Sequence, residues 1–346
     1  MIKQQRWKKL EYSKSQINDA GATIRNENAS DDEIAEATNV IDNWRASHAY
    51  PLHVIYIHLR DMAKSCRGAL VVERLKRLDS IIGKLKREDG MALWRMQDLG
   101  GCRVIVPTID DVYRFIDKFQ NSRIRHEYKR TYDYIKTPKK SGYRSVHLVY
   151  KYHSDKTEDY NQNMLIELQF RTHLQHIWAT ALETMGLFTK QALKAGQGEE
   201  YIKRFFVLIS SLFAIRENCP VVPNTLADKK ELVSEIEQIN DRHHVLETLN
   251  AIRIALNNEE DIKIDKRGYY LLILNFNTHI LRIRTYQPSQ FEEANTAYTQ
   301  IEKVRHASGI DAVLVRATSF SELKSAYPNY FTDIGEFYDL VMDYLR

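Results

Sequence analysis

The sequence predicts an α+β protein with a mixed β-sheet flanked by helices, followed by a second, smaller α+β unit. Three observations predict this class. The first third of the chain shows mainly helical periodicity, and the middle third alternates between strand-like and helix-like segments. The last third starts a new pattern of strands and helices after about residues 225–260. With 346 residues, 43% of them hydrophobic, the chain can bury a large core.

Helices are predicted first, at residues 31–46 and 51–66, with Pro51 separating them. A strongly amphipathic helix is predicted over residues 71–88, because apolar side chains recur there at helical spacing. This apolar stripe consists of Leu75, Leu78, Ile81 or Ile82, and Leu85.

Strands then alternate with helices. The predicted strands are 101–107, 124–131, 145–152 and 163–171, and the predicted helices are 109–121, 172–187, 198–217 and a long one at 228–256. The strand at 145–152 alternates clearly, and one of its faces carries Val146, Leu148, Tyr150 and Tyr152. The last part is predicted to contain strands 268–274, 280–286 and 311–317 and helices 288–306, 319–326 and 331–345. We therefore predict a helical segment at 1–50, a central domain at 51–220 and a third unit at 221–346.

Composition narrows the functional class. The net charge of +4 is mild, so any basic site has to be local. Three widely spaced cysteines, Cys66, Cys102 and Cys219, argue against a disulfide framework and favour a cytoplasmic protein. The N-terminal residues lack the apolar core of a signal peptide, and the apolar run at 205–215 is too short to cross a membrane.

Polar residues interrupt the apolar elements at four places. Lys76, Ser80 and Lys84 follow helical spacing within the predicted helix at 71–88, with Arg74 just before them. Asp98 precedes a Gly-Gly turn that enters a strand carrying Arg103. In the strand at 163–171, one face is apolar, whereas the other carries Glu167, Gln169 and Arg171.

The fourth place is the segment 123–144, where eight Lys or Arg stand against two acids. Tyr128, Tyr132, Tyr134 and Tyr143 are interleaved with this charge. Basic and aromatic side chains in a glycine-bearing loop suit phosphates and a stacked base. Each of the four patterns alone also fits an ordinary solvated surface, but acids for a metal together with bases for phosphates form a more specific combination.

Taken together, these residues resemble the synthetase domain of the RelA/SpoT family of alarmone enzymes, over roughly residues 45–190. The matching motifs occur in the family's order and are Arg74/Lys76/Ser80/Lys84, Asp98-Leu-Gly-Gly-Cys-Arg103, Asp133 through His147, and Glu167/Gln169/Arg171-Thr172. The resemblance implies a nucleotidyltransferase-like synthetase fold. It also implies transfer of pyrophosphate from ATP to the 3′-hydroxyl of GDP or GTP, which gives (p)ppGpp.

The resemblance further implies a role for each matching residue. Glu167 and Asp98 would be catalytic and would bind Mg²⁺, with Glu167 as the base for the acceptor hydroxyl. ATP would be bound by Arg74, Lys76, Ser80, Lys84 and Arg103, with the two arginines on either side of the adenine. The acceptor would be bound by Lys139, Tyr143, Arg144, His147, Gln169, Arg171 and His176.

Acceptor identity stays open, because Glu183-Thr184 departs from the Glu-His that many small synthetases show. Adenosine nucleotides giving (p)ppApp, the 3′-end of tRNA in a toxin of the same fold, and a nucleotide sensor without catalysis are the alternatives. We see no motif of the family's alarmone hydrolase. Restraint is therefore expected from the C-terminal unit, a separate antitoxin or other regulatory partner, or a cellular hydrolase. A homo-oligomer is a further expectation. If the C-terminal unit inhibits, removing residues after about 225 should raise activity.

Overall fold

The structure, a computed structural model, describes residues 7–155, 157–189, 193, 198–255, 268–275, 280–304, 310–317, 323 and 334–346. Its α-helices, in chain order, are α1 Lys14–Arg25, α2 Asp31–Ser47, α3 Ala49–Ala63, α4 Leu78–Arg87, α5 Ile109–Gln120, α6 His173–Phe188, α7 Glu200–Arg216, α8 Lys229–His243, α9 Val245–Ala255, α10 Phe291–Val304 and α11 Gly335–Leu345. The predicted helix at 319–326 lies outside the described residues, apart from residue 323.

The strands in the described part of the chain form one mixed sheet of eight. The strands are β1 Leu70–Leu75, β2 Gly100–Val106, β3 Glu127–Asp133, β4 Val146–Lys151, β5 Leu165–Thr172, β6 Gly268–Asn275, β7 Ile280–Tyr286 and β8 Ile310–Ala317. Their order across the sheet is β3-β4-β5-β2-β1-β8-β6-β7. Strands β2 and β5 run parallel, and the other neighbours run antiparallel. The α+β class predicted from the sequence is confirmed.

The main core lies on one face of this sheet and includes buried residues of α1–α5 and α10. Strand β5 shows why: Ile166, Leu168 and Phe170 are fully buried on that face, and Glu167 and Gln169 lie on the other. On β4 the predicted apolar stripe of Val146, Leu148 and Tyr150 is buried in the same core. This alternation is confirmed, and it leaves the polar face of both strands available for a site.

The single helix predicted at 71–88 is wrong. Residues 70–75 form strand β1, and α4 begins only at Leu78. The strand's burial explains the error, because Val71, Val72 and Glu73 are all buried in succession. A strand buried on both faces has no period-two signal and reads as part of a neighbouring apolar helix. Arg74 therefore lies on a strand, and Lys76 lies in the link between strand and helix.

The long helix predicted at 228–256 is also wrong in one respect. It divides into α8 and α9 at His244, whose φ of 52° is left-handed. Helices α6–α9 and α11 surround a second hydrophobic core. The apolar run at 205–215 lies in α7 and contributes to this core. Among the described residues, no helix is long and apolar enough to cross a membrane.

The C-terminal strands extend the central sheet. Strand β8 pairs with β1 at two positions, Glu73 opposite Arg316 and Arg74 opposite Val315. The Arg316 guanidinium lies across this seam, with Nη1 3.0 Å from His53 Nδ1 and 3.3 Å from the Tyr269 hydroxyl. The boundary at 220/221 stays a prediction, but the two parts share one sheet.

Candidate active site

A small, partly open cavity lies on the polar face of the sheet where β1, β2 and β5 lie side by side. It is lined by Val72, Arg74, Lys76, Asp98, Gly101, Cys102, Arg103, Glu167 and Gln169. Six of these residues are ones that the sequence analysis assigned to a site: Arg74, Lys76, Asp98, Arg103, Glu167 and Gln169. The chain therefore brings together motifs that are up to 95 positions apart in the sequence.

Strand register explains this convergence. On β2, Gly101 pairs with Glu167 and Arg103 pairs with Gln169 of β5. On the other side of β2, Gly101 is opposite Arg74. Residues two apart on a strand share a face, and directly or diagonally paired residues are neighbours. Arg74, Arg103 and Glu167 consequently surround Gly101, whose missing side chain leaves the floor of the cavity open.

Asp98 lies just before β2 and is held by two lysines. Lys76 Nζ lies 2.7 Å from its Oδ2 and Lys84 Nζ lies 3.3 Å from its Oδ1. Burial favours the neutral acid, but the two ammonium charges outweigh it and hold the Asp98 pKa well below its usual range. Asp98 is thus ionised and fully paired with cations at neutral pH.

Glu167 has a different environment. His147 Nδ1 lies 3.0 Å from its Oε1, and Gln169 Nε2 donates to its Oε2 at 2.7 Å. Burial and the charge of Asp98 act to raise the Glu167 pKa, but His147 and the hydrogen bonds prevail and lower it. Glu167 is therefore a carboxylate at neutral pH, close enough to Asp98 for their charges to interact.

His147 continues the chain of contacts to Tyr143. The Tyr143 hydroxyl lies 2.8 Å from His147 Nε2. Burial acts to lower the His147 pKa, but Tyr143 and Glu167 raise it to about 9. Burial likewise acts to raise the Tyr143 pKa, but the positive charges of His147 and Arg171 lower it to about 8. A protonated His147 thus donates to Glu167 on one side and to the Tyr143 oxygen on the other.

The basic loop predicted to hold phosphates lies beside Tyr143 and His147, outside the residues that line the cavity. Lys139 Nζ lies 4.3 Å from the ring centroid of Tyr134 and 5.5 Å from that of Tyr143. Tyr134 also meets the His147 ring edge-on at 5.3 Å. Sequence reasoning noted Tyr134 as one of the loop's aromatics but did not place it in the site. Its position among lysines and tyrosines was the available signal.

Arg144 lies behind this loop and holds it in place. It is 3% exposed, and its guanidinium donates to Ser210 Oγ at 3.2 Å and to the Pro220 carbonyl at 2.6 Å. These contacts fasten the loop to α7 and to the segment after it. The structure does not bring Arg144 to the cavity lining, and its assignment to acceptor binding stays a prediction.

The remaining assigned residues lie around the cavity rather than in its lining. Arg171 Nη2 contacts His176 Nδ1, and both side chains are buried. Burial and the nearby charge of Arg103 lower the Arg171 pKa. Ser80 is exposed on α4. Sequence reasoning missed Arg77, because it belongs to none of the four motifs. Its Nη2 lies 2.9 Å from Glu183 Oε1, and this ion pair ties the start of α4 to α6.

The donor set fits Mg²⁺ bound together with a polyphosphate. Two carboxylates, Asp98 and Glu167, line one cavity. Among the residues that the structure describes, no group of three or more His, Cys, Asp or Glu could hold a metal ion. Mg²⁺ commonly uses one or two protein carboxylates and completes its shell with phosphate oxygens and water. The residues therefore suit a metal that arrives with a nucleotide.

Comparison with known proteins points to the same region of the chain. Residues 73–190 match the family model described as a region found in RelA / SpoT proteins. The chain is 33% identical over 112 residues to GTP pyrophosphokinase YjbM of Bacillus subtilis and 31% identical over 115 residues to GTP pyrophosphokinase YwaC of the same organism. These matches cover 32% and 31% of this chain. The chain spans about half the length of these curated relatives, 52% of each.

Two solved structures are similar to about half of this chain. A GTP pyrophosphokinase family protein from Streptococcus pneumoniae is 27% identical with a TM-score of 0.43, covering 49% of this chain and 86% of that one. Small alarmone synthetase 1 from B. subtilis, bound to its product pppGpp, is 23% identical with a TM-score of 0.44, covering 51% and 91%. The family match covers β2, β5 and α4, which build the cavity: residues 73–190 of this chain are similar to the region found in RelA / SpoT proteins.

Proposed function

We propose that this protein transfers pyrophosphate from ATP to the 3′-hydroxyl of GDP or GTP and so makes (p)ppGpp. One observation carries the proposal: two carboxylates, Asp98 and Glu167, face one cavity with the cations Arg74, Lys76 and Arg103. Phosphoryl transfer needs positioning and charge stabilisation more than covalent chemistry, and the residues of this cavity would supply both. The names of the two Bacillus relatives support the same reaction.

The ATP side of the site would lie along β1, β2 and α4. Arg74 and Arg103 extend from neighbouring strands on the same face, so their planar guanidinium groups can stack on an adenine between them. Lys76 and Lys84 would exchange Asp98 for phosphate oxygens when ATP binds. Ser80 lies on the exposed side of α4 near these lysines and would contact the phosphates from there.

The acceptor would lie against the loop and β4. Tyr143 offers a ring next to Lys139, which suits a base stacked beside its phosphates. Arg171 and His176 would support the acceptor side from below, and Gln169 would contact the base or ribose. Arg144 would act there through the loop it fastens.

Glu167 would take the proton from the acceptor 3′-hydroxyl. It is ionised, and His147 fixes its Oε1 and Gln169 its Oε2. Mg²⁺ held by Asp98 and Glu167 would neutralise charge on the transferred group. His147 would keep the carboxylate oriented, and its positive charge would favour an acceptor that carries phosphates.

Several consequences belong to the same proposal. ATP and GDP or GTP are cytoplasmic metabolites, so the protein would act in the cytoplasm. Unrestrained production of an alarmone would arrest growth, which gives a toxin or defence role and calls for an antitoxin or another regulatory partner. Assembly into a homo-oligomer is part of this expectation.

The decisive experiment follows label from γ-labelled ATP with Mg²⁺ to GDP, GTP, ADP, ATP or bulk tRNA, offered separately. We expect label on a guanosine nucleotide, and we expect Glu167→Gln to lower the rate by about 10²–10⁴-fold. Label on tRNA alone would replace the proposal with a translation-blocking toxin, and label on an adenosine nucleotide with (p)ppApp synthesis. Absence of transfer to every acceptor, with the folded wild-type protein, would point to a nucleotide sensor and refute the proposal.

A further inference from the structure

The N-terminus of α4 lacks a cap from its own sequence. Arg77 occupies the N-cap position and makes no side-chain cap hydrogen bond, since a guanidinium has no acceptor. Leu78 N donates instead to both carboxylate oxygens of Glu302, at 3.3 and 3.1 Å. Glu302 lies on α10, 224 positions away in the sequence. The cap of this helix therefore comes from the C-terminal part of the chain.

The Glu302 carboxylate is held firmly in place. Its side chain is fully buried, as is that of Arg45, whose Nη1 lies 3.8 Å from Glu302 Oε2. Arg45 in turn contacts Asp42 and donates to Thr299 Oγ1 at 3.2 Å. A buried carboxylate at a helix N-terminus also interacts favourably with the helix dipole. The cluster thus ties α2, α4 and α10 together at one point.

Two residues of the candidate active site depend on the position of α4. Lys76 lies two residues before its first turn, where Lys76 N donates to the Leu99 carbonyl at 2.8 Å. Lys84 lies within the helix and reaches Asp98 at 3.3 Å. A shift of the first turn would change both Lys–Asp98 distances together, and with them the proposed phosphate contacts.

We propose that Glu302 is a positioning residue of the pyrophosphate-transfer site, which it serves by fixing the start of α4 and hence Lys76 and Lys84. This inference rests on the function proposed above. It gives the C-terminal part of the chain a constructive role, because the site is incomplete in geometry without α10. Glu302 itself is buried between helices and touches no substrate.

The test compares full-length wild type with Glu302→Gln, which keeps the side chain's size and an acceptor but removes the charge. We expect kcat/KM for ATP to fall about tenfold, while KM for the nucleotide acceptor stays within twofold. Amide hydrogen exchange of residues 78–84 should become faster. A purely structural role would lower stability without separating ATP from acceptor.

The matched control is Asp228→Ala. Asp228 caps α8 by accepting from Lys230 N at 2.8 Å and Glu231 N at 3.0 Å, but that helix contributes no residue to the cavity lining. We expect this variant to keep the ATP and acceptor parameters of wild type. If Glu302→Gln fails to fold, Glu302→Asp keeps the charge with a shorter reach and should show the same ATP-specific loss, about threefold.

The outcomes separate the two proposals. A folded Glu302→Gln protein with wild-type ATP parameters, or one affecting ATP and acceptor equally, would overturn the positioning role. A wild-type protein that transfers to no acceptor would instead refute the proposed function. In that case hydrogen exchange at 78–84 and the affinity for a non-hydrolysable ATP analogue still test Glu302: unchanged values in the variant would overturn its role, and faster exchange with weaker binding would support it.

Discussion

Gly142 shows at the residue scale how the loop beside Tyr143 is held in place. Its φ is +88°, and an added Cβ would lie 2.9 Å from Trp178 Cζ2 and 3.1 Å from Ser210 Cβ. Ser210 Oγ donates to the Gly142 carbonyl at 2.6 Å, which draws the loop against α7. Both the turn and the close approach therefore require glycine next to Tyr143.

We predict that Gly142→Ala destabilises the fold by the left-handed backbone cost of about 1–2 kcal/mol and by a further 1–3 kcal/mol for the clash. Gly90→Ala is the matched control, because Gly90 has a φ of +71° but no atom within 4 Å of an added Cβ. Urea unfolding should show the larger loss for Gly142→Ala. Equal losses in the two variants would contradict the packing argument.

A second prediction at this scale concerns the His147 pKa, which the charge of Glu167 helps to raise. A His pKa raised to about 9 stabilises the folded state below pH 6.5, and this contribution is lost as pH rises through 9. Glu167→Gln removes one source of the shift, so we expect the His147 pKa to fall by about one unit.

NMR titration of labelled histidines measures this change. The buried His48, whose pKa is lowered to about 4 by its own burial, is the internal control and should not move. A His147 pKa that stays the same in Glu167→Gln would show that Tyr143 alone sets it.

At the element scale, α7 supports the loop from behind. Ser210 accepts from Arg144 Nε at 3.2 Å and donates to the loop backbone, whereas its neighbour Ser211 bonds Thr225 and the Val222 backbone. Two adjacent serines on one helix thus bond different segments. Ser210 bonds Gly142 and Arg144, the residues on either side of Tyr143, whereas Ser211 bonds the segment that follows α7.

We predict that Ser210→Ala raises the acceptor KM about three- to tenfold with little effect on the ATP KM, since it removes one to two buried hydrogen bonds of about 1 kcal/mol each. Steady-state kinetics with each substrate varied in turn would measure this. Ser211→Ala should cost similar stability but leave both KM values unchanged. An equal rise of both KM values in Ser210→Ala would contradict the role of this contact.

Elements also show what the sequence could and could not predict. The faces of β4 and β5 were predictable because their two sides differ in polarity, and the motif residues on them follow from that. Strand β1 was not, since Val71, Val72 and Glu73 are all buried and the chain passes into α4 without Gly or Pro at Lys76-Arg77. The cap from Glu302 could not be predicted either, because it depends on a contact across 224 positions.

At the scale of the whole molecule, one sheet joins the family-matching region to the C-terminal strands. Strand β1, which carries Arg74, lies between β2 and β8. Without β8, β1 would be an exposed edge beside the cavity, and without α10 the start of α4 would lose its cap. We therefore expect the C-terminal part to support the cavity rather than to inhibit the protein.

We predict that a chain truncated after residue 225 has lower transfer activity than the full chain, or is insoluble, because β1 and α4 lose their partners. The measurement is the transfer rate together with thermal unfolding. Adding a 226–346 fragment should restore activity if the two parts associate. Higher activity in a folded truncated protein would show inhibition, as one reading of the sequence anticipates.

The pairing of Asp98 with Lys76 and Lys84 has a consequence for the order in which ligands arrive. A divalent cation alone would have to compete with two ammonium groups already in contact with the carboxylate, whereas ATP gives these groups phosphate oxygens as new partners. We therefore expect MgCl₂ alone to leave the melting temperature unchanged, and ATP with Mg²⁺ to raise it. A large shift with the metal alone would contradict this order. In the free protein, Asp98 would stay paired with the two lysines, and it would become free to bind the metal only when the nucleotide is present.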